Sequence, residues 1–177
     1  MRGDPEGSPP TFLRGTPQFL MSEQAKQALV TSLRLLSATP KSRKLLETKL
    51  SERGFDSDVI RKTVEALERQ GLLSDRALGE SLLENFKNYR LSGKKRIAFE
   101  MKKRGIASPL IQELVAKYGP EEEREKATQL AREKWEKLKK LASQKRRKRV
   151  YDFLLRRGFD YSLSRDVVET LDREKEE

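Results

Sequence analysis

Three times along the chain an arginine and a glycine are followed by a large apolar residue: Arg53-Gly54-Phe55, Arg104-Gly105-Ile106 and Arg157-Gly158-Phe159. The glycines are 51 and 53 residues apart, and each keeps the same surroundings. Four positions before the glycine stands Leu50, Met101 or Leu154. After it come apolar residues at five, ten and thirteen: Val59, Val64 and Leu67; Leu110, Val115 and Tyr118; Leu163, Val168 and Leu171. Self-similarity at a fixed period of this size is the mark of a repeat architecture, in which each unit is too small to bury its own apolar face and stacks on its neighbours.

The apolar spacing within each unit is helical. Ala25, Leu29, Leu33 and Leu36 put a helix over 22–38, which Thr39-Pro40 breaks because a residue before proline is pushed out of the helical region. Helices over 42–53 and 57–70 stop at Gly54 and Gly71, glycine being the residue that takes the left-handed conformation just past a helix end. The same trio recurs. Ser74 caps a helix running to Arg90 with Leu78, Leu82, Phe86 and Tyr89 on one face. Helices over 94–104 and 108–118 follow, the second with Ser108 as cap and Pro109 at its first position. The last trio covers 120–141, 144–157 and 161–174. It opens on Pro120 and then Glu121, Glu122 and Glu123, which suit the positive end of a helix dipole. The expectation is an all-α protein, a tandem array of three three-helix repeats (about nine helices), elongated and curved. Its expected boundaries are 22–71, 72–119 and 120–177, the last with an acidic end. Residues 1–21, rich in proline and glycine and without periodicity, read as a disordered extension, with Met21 as a plausible start of the native chain.

Ala, Glu, Lys, Leu and Arg supply more than half of the residues, and aromatic and β-branched residues are too scattered to suggest a sheet. The absence of cysteine and histidine excludes disulfides, histidine acid–base chemistry, cysteine nucleophiles and the usual zinc sites. Phosphate-loop, nucleophile-elbow and dinucleotide patterns are missing, and Asp56-x-Asp58 opens a helix, where acids serve the dipole rather than a metal. The chain reads as a binder, not an enzyme, with no cofactor and no metal. No apolar run is long enough to cross a membrane, and a cytoplasmic monomer is expected.

The net charge of +11 points to a polyanionic partner, and it is concentrated. Residues 137–149 hold eight cations and no acid. Two tracts are candidate contacts with single- or double-stranded DNA. One comprises Arg90, Lys94, Lys95, Arg96, Lys102, Lys103 and Arg104, around the inward-facing Ile97 and Met101. The other is Lys145, Arg146, Arg147, Lys148 and Arg149, continued by Arg156 and Arg157, with Val150, Tyr151 and Leu154 facing in. Each lies in the middle helix of a trio, so an array should set them along one side, opposite the spaced phosphates of a nucleic acid. Trp135, among lysines, is expected to be buried rather than to stack on a base. The triple Arg-Gly-Phe/Ile is assigned to helix ends and packing.

Ser42-Arg43, Leu46, Leu50, Arg53-Gly54-Phe55, Val59-Ile60 and Gly71-Leu72-Leu73-Ser74-Asp75 together resemble the opening of the bacterial RecX recombination regulators. Arg96-Ile97 to Arg104-Gly105-Ile106 and Phe153 to Tyr161 are also similar to that family's pattern, so the resemblance spans roughly residues 30–172. It implies tandem three-helix repeats that bind RecA, lie in the groove of the RecA–single-stranded DNA filament, and suppress strand exchange, ATP hydrolysis and co-protease activity. Ser74 departs from the pattern, where an acid is usual, and Leu78-Gly79 stands where an aromatic residue followed by alanine is common. The alternative reading is a direct nucleic-acid-binding module whose units act as helix-turn-helix variants.

Overall fold

The computed structural model describes residues 22–174, so the readings of residues 1–21 and of the final acidic residues lie outside the described residues. The helices are α1 (Glu23–Ala38), α2 (Arg43–Ser51), α3 (Ser57–Arg69), α4 (Asp75–Glu84), α5 (Lys94–Lys103), α6 (Ser108–Ala116), α7 (Pro120–Lys137), α8 (Ser143–Arg156) and α9 (Tyr161–Arg173). A π-turn over Asn85–Tyr89 continues α4, and no strand occurs among the described residues. This is the all-α tandem three-helix architecture that the repeat implied.

The chain forms two compact units, residues 22–40 with 46–73, and residues 41–45 with 74–174. In the first, Leu46, Leu50, Ile60, Val64, Leu67 and Leu73 make a core against which Leu29, Leu35, Leu36 and Phe55 pack. The second contains two cores. Leu78, Leu82, Phe86, Ile97, Met101, Ile106, Leu114 and Tyr118 form one. Ala127, Leu130, Trp135, Val150, Leu154, Phe159, Val168 and Leu171 form the other. Each fully buried Leu, Ile or Phe contributes roughly 1.5–3 kcal/mol relative to exposure. The residues four before the motif glycines, Leu50, Met101 and Leu154, are all completely buried, as the spacing required.

Helix starts follow their chemistry. Ser22 and Ser74 accept hydrogen bonds from the Ala25 and Ala77 N–H groups, each at 3.2 Å. Ser108 is not a cap: the Ala107 carbonyl accepts from the Ile111 N–H at 3.0 Å, which starts α6 one residue earlier and makes Ser108 its first residue. The expected helix to Arg90 is also corrected. The Arg90 N–H reaches the Asn85 carbonyl, a five-residue span that inserts an extra residue into the last turn. Tyr89 is thereby rotated off the apolar face and is 84% exposed, while Leu91 is carried at φ 45° onto the third core. Gly79 admits α6 closely, since a Cβ there would meet the Leu114 side chain at 2.3 Å.

The repeated glycines take φ 79° (Gly54), 81° (Gly105) and 86° (Gly158), the left-handed region that closes each middle helix. Two of them do more than stop a helix. Within the second unit, Gly158 lies against the start of α5: the Gly93 N–H donates to the Arg157 carbonyl at 3.0 Å and the Lys95 N–H to the Gly158 carbonyl at 3.1 Å. A Cβ on Gly158 would come within 2.3 Å of the Arg96 nitrogen. Gly105 lies in the same way against the start of α2, where the Ser42 hydroxyl donates to the Arg104 carbonyl at 2.5 Å. The motif is therefore a helix stop and a joint at once.

Candidate cationic contact surface

The joint at Gly158 decides what the first basic tract can do. The Glu123 carboxylate, buried on α7, accepts from the Lys94 N–H at 2.9 Å and lies 3.4 Å from its ammonium. Lys95 reaches Asp160 at 2.8 Å and sits 4.7 Å from the centre of the Tyr161 ring. That contact, followed by the Ser162 N–H, holds the Asp160 carboxyl down at about 2, and the same hydrogen bond raises Lys95. Arg96 pairs with Glu100 at 2.7 Å, and its guanidinium lies 5.6 Å from the centre of the half-exposed Phe99 ring. Arg90 stacks on Phe86, and its carbonyl accepts from Arg157 at 2.7 Å. Most of this tract is expected to face outward, and Arg90, Lys95, Arg96, Lys102 and Lys103 are exposed. Lys94 and Lys95 nonetheless help to hold two repeats together, because the first-turn groups of α5 meet the carbonyls and acids of the next repeat, while Arg96 pairs within its own helix. Lys102 and Lys103, at the end of α5, are exposed and have no ion pair among the described residues.

The second tract divides similarly. Arg147 reaches Asp172 at 2.7 Å, and the Ser143 hydroxyl donates to the same carboxylate at 3.0 Å, so the start of α8 is clamped to the end of α9. Arg146 lies over the Trp135 ring at 4.4 Å, and Trp135 is buried as expected. Lys145, Lys148, Arg149 and Arg156 are exposed and unpaired among the described residues. Six of the fourteen cations in the two tracts are thus exposed and unpaired among the described residues: Lys102, Lys103, Lys145, Lys148, Arg149 and Arg156.

The acids that decide this division, Glu123, Asp160 and Asp172, stand 25 or more residues away in sequence from the cations they hold. Glu123 stands in the first turn of α7, where a dipole role is expected of it and its neighbours, and Asp172 stands near the C-terminus with no local signal of its own. Asp160 carried a readable signal, since Arg-Gly-Phe-Asp is spelled identically at 53–56 and 157–160. No group of acids that could hold a metal ion occurs among the described residues, and none of their helices is long and apolar enough to cross a membrane.

Three-helix units whose middle helices each end on the same stop, two of them carrying exposed unpaired cations, define a helical-repeat protein. The chain belongs to the RecX family. Residues 28–67 match the family's first three-helix domain and residues 121–168 its third. The protein named Regulatory protein RecX of Chlorobium phaeobacteroides is 34% identical over 148 residues, covering 84% of this chain and 93% of that one. That of Mycolicibacterium smegmatis is 33% identical over 150 residues, covering 82% and 78%. Against the Clostridium perfringens protein the identity is 29%, and the chain spans 66% of its length. The crystal structure of RecX from Lactobacillus salivarius superposes with a TM-score of 0.77 at 23% identity, covering 85% of this chain and 97% of that one, a likeness of fold.

Proposed function

We infer that this chain is a regulator of the RecA recombinase that binds RecA and its single-stranded DNA filament and mainly inhibits strand exchange, ATP hydrolysis and co-protease activity. The observation that carries this reading is family membership combined with exposed, unpaired cations on α5 and on α8, in a sequence without a phosphate-loop, nucleophile-elbow or dinucleotide pattern. Lys145, Lys148 and Arg149 on α8, with Lys102 and Lys103 on α5, supply charge for the filament's phosphates or for acidic RecA side chains. Binding across adjacent RecA subunits would hold the filament in a state unsuited to turnover, and it requires no reacting group on the regulator.

The test is the ATPase of preformed RecA filaments with the purified protein added at up to stoichiometric ratio. Lowered turnover is expected. An unchanged ATPase together with tight binding to naked DNA would replace this reading by that of a direct nucleic-acid-binding module. Binding through about six phosphates would show there as a log–log salt slope of roughly −4 to −5.

A further inference from the structure

The tetrapeptide Arg-Gly-Phe-Asp occurs twice, and only one copy is occupied. At residues 157–160 three acceptors are used by the start of α5: the Arg157 and Gly158 carbonyls by backbone N–H groups of Gly93 and Lys95, and the Asp160 carboxylate, which also accepts from Ser162, by the Lys95 ammonium. Gly93 is needed there, because a Cβ would lie 2.4 Å from the Gly158 oxygen. The Arg157 guanidinium reaches across to the Arg90 carbonyl just before the docked helix. The first-turn N–H groups of a helix have no intrahelical partner and carry the positive end of its dipole, so two carbonyls and a carboxylate form a matched receptor.

At residues 53–56 the same groups stand empty among the described residues. The Arg53 and Gly54 carbonyls accept no hydrogen bond, and the Asp56 carboxylate neither caps α3 nor meets a cation. Nothing lies within 4 Å of where a Gly54 Cβ would be. Arg53 folds back on its own helix, donating to the Lys49 carbonyl at 2.8 Å. Beside it α1 lines a cavity of about 330 Å³ with Val30, Thr31, Leu35 and Ala38, and Val30 is 65% exposed.

We propose that Arg53–Asp56, with the adjoining face of α1, receives the N-terminus of a helix from a partner protein, a helix with glycine or serine at its cap and lysine at its second position. The α5 joint defines that occupant, since Gly93 is its cap and Lys95 its second residue. A second copy of this chain does not supply it. Among the described helices only α2 and α5 carry lysine at the second position, and the starts of both are already docked, at Gly105 and Gly158. The proposal concerns a protein partner and stands independently of nucleic-acid binding by the cationic tracts.

A stapled helical peptide of residues 91–104, the chain's own α5, serves as the probe, added to the isotope-labelled full chain while backbone amide shifts are followed. The amides of Gly54, Phe55 and Asp56 should move in a saturable way while Gly158 stays fixed. A Lys95→Glu peptide should bind about two- to fivefold more weakly, as should the original peptide to an Asp56→Lys chain, and combining the two variants should restore affinity. Unmoved Gly54 and Asp56 amides at millimolar helical peptide, movement confined to Gly158, or equal affinities in all four charge combinations would each overturn the proposal.

Discussion

Alanine at each of the three motif glycines meets a different environment, although the triplets read alike. At Gly54 the left-handed φ is the only obstacle, so Gly54→Ala should cost about 1–2 kcal/mol. Gly105→Ala adds a contact at 2.8 Å with the Ser42 hydroxyl, which is buried and held by the Arg104 carbonyl and the Leu45 N–H, and should cost somewhat more. Gly158→Ala drives a methyl group into the Arg96 backbone and should be the most damaging by a further ~1–3 kcal/mol, as in overpacked cores. Urea melts of the three variants check this order, and equal losses would reduce the motif to a helix stop. Asp160 offers a second residue-scale test. Its carboxyl is held at about 2, below the ordinary value near 3.9, by the Lys95 hydrogen bond and then by the Ser162 N–H. A depressed carboxyl binds fewer protons folded than unfolded, so its contribution is complete above about pH 4 and is lost as pH falls towards 2. In Lys95→Met the Asp160 titration followed by NMR should move up towards the ordinary value. An unmoved midpoint would mean that Lys95 is not its main partner.

At the level of elements, the helices were legible because their apolar periodicity and stop signals agree. Departures arise at helix ends, at Ser108 and in the π-turn, and on α1, where Leu33 is exposed while Ala28 and Ser32 are buried. The π-turn over Asn85–Tyr89 has no signal in the spacing of Leu78, Leu82, Phe86 and Tyr89, which fits an uninterrupted α-helix equally well. It is selected because it places Leu91 on the third core, a long-range demand that local pattern cannot show. The clamp between α8 and α9 is also tertiary, joining Ser143 and Arg147 to a carboxylate 25 or more residues away. Asp172→Ala should lower stability by about 1–3 kcal/mol, since it leaves the Ser143 hydroxyl and Arg147 without their common acceptor in a partly buried site. A thermal melt checks it. Filament inhibition by that variant should not fall, because Arg147 is released rather than removed.

For the whole molecule, the net charge of +11 points to a polyanionic partner but not to the contact residues. The structure separates cations that hold the protein together from those free to meet something else. Reversing Lys102, Lys103, Lys145, Lys148 and Arg149 to glutamate should weaken filament inhibition and naked-DNA binding while leaving the thermal melt nearly unchanged, since exposed unpaired charges contribute little to folding. Reversing Lys94, Lys95 and Arg147 should instead lower the melting temperature, by setting like charges against Glu123, Asp160 and Asp172. Circular dichroism melts beside the filament ATPase distinguish the two sets. Undiminished inhibition by the first set would remove these residues from the proposed contact.

The sequence alone determined the helical repeat, the positions of the glycine helix stops, the core face of most helices (Leu33 of α1 and Tyr89 are exposed) and the absence of histidine and cysteine chemistry. All of these follow from local spacing and composition, which act over a few residues. Only the tertiary structure decided which cations are paired, which Arg-Gly-Phe-Asp is occupied and where α4 yields to a π-turn. Those outcomes depend on which groups from distant parts of the chain arrive within hydrogen-bonding distance of one another, and two identical tetrapeptides differ only in whether a helix start has been brought to them.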